Sequence, residues 1–117
     1  MPPMSLHVAC LCAAWCRTCE SYQEVFEAAC AELPQAGLHV RWIDIEDEAE
    51  LVGDLDIETF PTLLIADGEH VRFAGPLPPQ PETLKRVLRA HLADATPARV
   101  AAEYIELAHR LKTGHHP

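Results

Sequence analysis

The sequence predicts a single α/β domain in which a β-α-β unit is followed by a β-β-α unit, with one more helix at the C-terminus. Three observations predict it. Two β-favouring runs, Ser5–Cys12 and His39–Ile45, flank a stretch of helical period. Asp67-Gly68, a strong hairpin signal, separates two further short apolar runs. The 117 residues, 49% of them apolar, are enough for one core and too few for two. The expected division is residues 1–93 as the domain and 94–117 as an amphipathic helix and tail, packed on that domain or on a partner subunit.

Ser5–Cys12 contains Val8 and little charge, which suits a strand buried on both faces. From Cys16 the period becomes helical. Cys19, Tyr22, Phe26, Ala29, Cys30 and Leu33 form one stripe, the glutamates fall mostly off it, and Pro34 and Gly37 end the helix. His39–Ile45 is rich in β-branched and aromatic residues and reads as the second strand. A strand–helix–strand connection of this length implies a parallel pair with a right-handed crossover. Asp47–Leu55 is a short acidic helix with Leu51, Val52 and Leu55 inward, and a turn at Ile57–Phe60 leads to Pro61. Thr62–Ala66 is the third strand and His70–Ala74 returns antiparallel as the fourth. Gly75–Pro81, with four prolines, reads as a loop. Glu82–Leu92 carries Leu84, Val87, Leu88 and Leu92 at helical spacing. Thr96 as N-cap and Pro97 at the first helical position open a last helix, which runs to about Lys112 with Val100, Tyr104, Leu107, Ala108 and Leu111 as its apolar stripe.

Net charge is −9 and unevenly placed: residues 1–70 hold fourteen acids against Arg17 and Arg41, whereas residues 71–117 hold seven bases against four acids. An acidic surface repels phosphate backbones, so nucleic-acid binding is disfavoured over most of the molecule and no nucleic-acid partner is expected. No apolar stretch approaches the ~20 residues that span a bilayer. The N-terminal run lacks the basic residues of a secretory leader, so a cytoplasmic domain is expected. The acidic run Asp44–Glu58 lacks the spacing of a calcium loop and reads as a solvated helix and loop. The histidines show no ligand spacing, and His109, His115 and His116 read as solvated residues near the C-terminus.

The chemistry concentrates at Trp15-Cys16-Arg17-Thr18-Cys19, where the first strand gives way to the first helix. Two thiols three apart on a first helical turn can close a disulfide without moving the backbone. The amino-terminal thiol faces unpaired N–H groups and the positive end of the helix dipole, which stabilise a thiolate. Arg17 adds positive charge and Glu20 opposes it. The pair suits thiol–disulfide exchange: Cys16 attacks, a mixed disulfide forms, and Cys19 resolves it. The set Cys10, Cys12, Cys16 and Cys19 also admits a zinc or iron–sulfur reading. Cys10 and Cys12 fall on one face of a buried strand, however, which favours core thiols, and Cys30 lies on the apolar stripe of the helix. No metal is therefore expected.

With Phe60-Pro61-Thr62, Asp67-Gly68 and Gly75, the W-C-x-x-C motif makes the chain resemble the thioredoxin family from about Ser5 to Leu92. The resemblance implies a four-stranded mixed sheet of order 2-1-3-4 flanked by helices, in a short form without the family's first strand and helix, leaving His39–Ile45 at an edge. It implies that Pro61 is a cis-proline facing the cysteines, that Trp15, Phe60, Pro61 and Thr62 line the substrate site, and that Phe60 offers its backbone to an extended substrate strand. The partners implied are protein disulfides and a dithiol electron donor, with no cofactor. A homodimer through the C-terminal helix or the edge strand is a further option. Departures accompany the resemblance. The family's buried aspartate is Cys10 here, its accompanying lysine is Trp42, its second tryptophan is Cys12, and Glu24 replaces the helix-kinking proline. These changes keep open a second reading, an interaction module of the same fold with weak or no redox turnover.

Overall fold

In the computed structural model, residues 6–13, 17–33, 38–53, 61–67, 70–78, 80–93 and 97–112 are described, with the backbone alone for Thr18, Cys19, Leu38, Leu92 and Lys112. The elements run β1 (Leu6–Cys12), α1 (Arg17–Ala31), β2 (Leu38–Asp44), α2 (Ala49–Val52), β3 (Thr62–Ala66), β4 (Val71–Pro76), α3 (Pro81–Ala93) and α4 (Ala102–Lys112). The strands form one mixed sheet of order β2-β1-β3-β4. β1 and β2 are parallel, with Val8 beside Val40 and Cys12 beside Asp44. β1 and β3 are antiparallel, ending at the pair Leu11–Thr62. The expected sheet order and mixed character are present.

Alternation along β1 divides the core in two, because successive strand side chains point to opposite faces. Leu6, Val8, Cys10 and Cys12 join Tyr22, Phe26, Ala29 and Cys30 of α1 and Leu84 and Leu88 of α3. Ala9 and Leu11 face the other way, onto Ile43, Leu64, Leu51, Val52 and the α4 residues Leu107, Ala108 and Leu111. A central strand sandwiched in this way has no polar side, which is why its sequence shows no polar alternation. Phe26 is fully buried and leans on Trp42, with ring centroids 6.0 Å apart.

Several boundaries differ from the sequence reading. The expected helix over Asp47–Leu55 is confined, among the described residues, to Ala49–Val52. It stops at Gly53, whose φ of 65° and ψ of −132° leave helical space and suit glycine. The proline-rich Gly75–Pro81 is only partly a loop: β4 continues to Pro76, and Pro81 opens α3, where its missing N–H costs nothing. The last helix begins at Ala102 rather than at Pro97. The N–H of Ala98 donates to the carbonyl of Val71 at 2.8 Å, so residues 97–101 are held beside the start of β4 and the helix starts after them. Thr96, the expected N-cap, lies outside the described residues. No helix among the described residues is long and apolar enough to cross a membrane.

Candidate functional site

β1 delivers the chain to one end of the sheet and fixes where the cysteine motif starts. Its last residue is pinned from the β2 side, where the Ile45 N–H donates to the Cys12 carbonyl at 2.9 Å. On the other side the last β1–β3 pair is Leu11–Thr62, so one step further the antiparallel register sets Pro61 beside Cys12. Pro61 and Thr62 are buried, and the Pro61 carbonyl accepts the Leu77 N–H at 3.1 Å, tying the proline to the segment that follows β4. α1 begins at Arg17, and Cys19 is its third residue. The end of β1, the start of α1 and the start of β3 thus meet at the carboxyl end of the parallel pair, the edge where open α/β sheets place their chemistry.

Of the six residues expected at the site, Pro61 and Thr62 are set by the sheet register beside the end of β1. Trp15, Cys16 and Phe60 lie outside the described residues, as does the Cys19 side chain. Arg17 and Glu20, the charges flanking the motif, are both exposed on the first turn of α1. Their fields act through solvent and largely oppose one another.

Beneath the site are the positions where the family resemblance calls for a carboxylate and a lysine. Cys10 and Trp42 occupy them, and the β1–β2 register makes them direct neighbours. The two departures are therefore one coordinated change, an apolar pair where an ion pair is expected, and a well-packed apolar pair is an adequate structural replacement for buried charge. It is not a chemical one. Burial first, and Cys30 second, push the Cys10 thiol far above its ordinary value. Cys30 is pushed up to about 12, by burial and then by Glu27. Tyr22 is raised by the same burial and by both thiols, and its buried hydroxyl makes no hydrogen bond among the described residues. Both cysteines are free and buried, as expected of core thiols. None of the three groups can serve as a base near neutral pH.

Cys12 differs from the sequence reading. It was expected as a second free thiol of the core, and it does face that core, but its sulfur is in a disulfide. A disulfide sulfur and a thiol held protonated are both poor metal ligands, which disfavours a cluster built on Cys10 and Cys12. No group of three or more potential ligands that could hold a metal occurs among the described residues. The C-x3-C-x2-C spacing from Cys12 was the available signal that this cysteine is more than a core thiol.

Comparison with known proteins agrees with this architecture. A thioredoxin family model matches residues 3–89. Over 64 residues, 54% of the chain, the sequence is 39% identical to protein disulfide isomerase-like 1-4 of Arabidopsis thaliana, and the match spans only 11% of that relative's length. Among solved structures, thioredoxin from Trypanosoma brucei brucei aligns with a TM-score of 0.63 at 24% identity, covering 77% of each chain. The germline-specific thioredoxin Deadhead of Drosophila melanogaster aligns with a TM-score of 0.62 at 16% identity, covering 74% of this chain and 80% of its own. The family model covers most of the chain, and the sheet order, the crossover helix and the buried Pro61 fall within it: the chain belongs to the thioredoxin family.

Proposed function

We propose that the chain is a thiol–disulfide oxidoreductase acting on protein disulfides, the substrate class of its family. Cys16 is the nucleophile and Cys19 the resolving thiol. The observation that carries this reading is the meeting of the β1 end, the α1 start and buried Pro61–Thr62 at one end of the sheet. A cysteine just before a helix start gains thiolate character from the first-turn amides. Pro61, read as a cis-proline, has no N–H to compete for the sulfurs. Phe60 supplies backbone groups to an extended substrate, and Trp15 supplies an apolar wall. A dithiol protein returns the electrons, and no cofactor takes part.

Replacement of the expected carboxylate by Cys10 favours a second reading, a binding module with slow turnover, since no carboxylate then stands at that position to assist the second thiol. Reduction of a protein disulfide, followed under a dithiol donor, separates the two. The oxidoreductase reading expects turnover that Cys16→Ser reduces to background. Equal rates for wild type and Cys16→Ser would refute it.

A further inference from the structure

The histidines show no ligand spacing along the chain, but the parallel register of β1 and β2 makes direct neighbours of two of them. His7 and His39 are the second residues of their strands, and their rings stack with centroids 4.8 Å apart and planes 17° from parallel. That separation is the spacing of adjacent strands, about 4.7–4.9 Å, so the two side chains leave the sheet side by side. We infer that His7 and His39 form a two-imidazole site for a borderline divalent metal ion of the Ni²⁺–Zn²⁺ class, which clips the edge strand to its neighbour. The site is independent of the oxidoreductase reading. It lies at the amino end of the parallel strands, whereas the cysteine motif follows the carboxyl end of β1.

The placement suits chelation. Imidazole nitrogen is a ligand matched in softness to Zn²⁺ and Ni²⁺. Backbone pairing already holds the second ring beside the first, so little freedom is lost when one ion takes both. Two nitrogens bonded to one ion at about 2.0–2.1 Å, in a right-angled or tetrahedral arrangement, lie roughly 3.0–3.4 Å apart. Rotation about the broad χ2 torsions turns the ring edges to that separation while the strands stay in place.

The surroundings leave room for an ion. β2 is an edge strand and His39 is exposed, while His7 is half-buried. On the other side of His7 the residue across the sheet is Ala66 of β3, too small to crowd the rings. Arg41, two positions along the same face of β2, is ion-paired with Glu48, which offsets its repulsion of a second cation. The chain's net charge of −9 draws cations towards it. Two protein nitrogens leave the remaining coordination positions to water. The site is therefore an open surface clip, in keeping with the absence of any group of three or more ligands among the described residues.

The test is a titration of the full chain with Ni²⁺, followed through backbone amide NMR signals, which the paramagnetic ion broadens close to where it binds. The map is read residue by residue, so binding at other histidines or at cysteines is seen separately. Amides around His7 and around His39 should broaden together with one midpoint. Exposed His70 supplies a single-imidazole reference in the same spectra. Chelation by two linked ligands should place the midpoint at roughly 100-fold lower Ni²⁺ than at His70. His39→Gln should move the response at His7 up by a similar factor, and His7→Gln should do the same at His39, with amides elsewhere unchanged. A His7 response of unaltered midpoint in His39→Gln would overturn the inference, since the two rings would then bind separately. So would a wild-type midpoint equal to that of His70, or broadening confined to the other histidines. Those last two outcomes are read on wild type and hold even where a variant fails to fold.

Discussion

Asp67 and Arg72 show how much a single pair can organise. The Asp67 carboxylate accepts the His70 N–H at 2.6 Å and the Arg72 Nε–H at 3.1 Å, while an Arg72 terminal N–H donates to the His91 carbonyl, also at 3.1 Å. One buried ion pair thereby joins the β3–β4 turn to the last turn of α3, whose carbonyls have no partner within the helix. Removing one member leaves the other charge buried and uncompensated. Asp67→Ala is expected to cost about 3–5 kcal/mol, read from urea unfolding, and a loss below about 1 kcal/mol, the range of an exposed pair, would contradict the assignment. Sequence reading marked Asp67 only as half of a turn signal and passed over Arg72. An arginine within a short apolar run looks like an exposed strand residue until the hairpin register sets a carboxylate beside it. Cys12 was misjudged for a related reason: spacing identifies a core-facing cysteine but not which sulfur lies within its reach.

Elements were more legible than residues, because period survives without knowledge of partners. β3 was expected at Thr62–Ala66 and lies there. The α4 stripe was also legible, whereas its start was not, since the Ala98–Val71 hydrogen bond joins segments far apart in sequence. The β1–β2 pair carries a titratable feature of its own. His7 and His39 sit side by side in register and stack, with ring centroids 4.8 Å apart and planes 17° from parallel. Burial, and then the neighbouring His39, hold the His7 pKa below its ordinary value. A histidine lowered in the folded state binds its proton more readily when unfolded, so the stabilities diverge as pH falls below the unfolded value of about 6.5. Wild type should therefore lose stability through the slightly acidic range, and His7→Gln should lose less. Parallel melting-temperature profiles for the two proteins between pH 8 and pH 5 would show that His7 does not contribute.

At the scale of the whole molecule, the family match ends at residue 89 and α4 lies beyond it, yet α4 lines the second face of the sheet. Leu107 is fully buried there against Leu11, Ile43 and Leu64. Leu107→Ala should cost about 2–5 kcal/mol, measured by denaturant titration, and a cost within 0.5 kcal/mol, typical of exposed sites, would mean that α4 is an appendage. The fold was legible because several motifs spaced along the chain agreed on one topology. The site was legible as a motif, and the sheet register sets buried Pro61 and Thr62 at the end of β1, while the bonding of the Cys12 sulfur depends on three-dimensional reach. The two margins of the sheet are unequal. Val40 is 43% exposed on β2, whereas β4 has the Ala98 N–H on Val71 at one end and Pro76, which has no N–H to offer, at the other. A strand added along β4 would find one acceptor already taken by Ala98 and one donor lost to proline, two of the devices that blunt an edge against edge-to-edge growth.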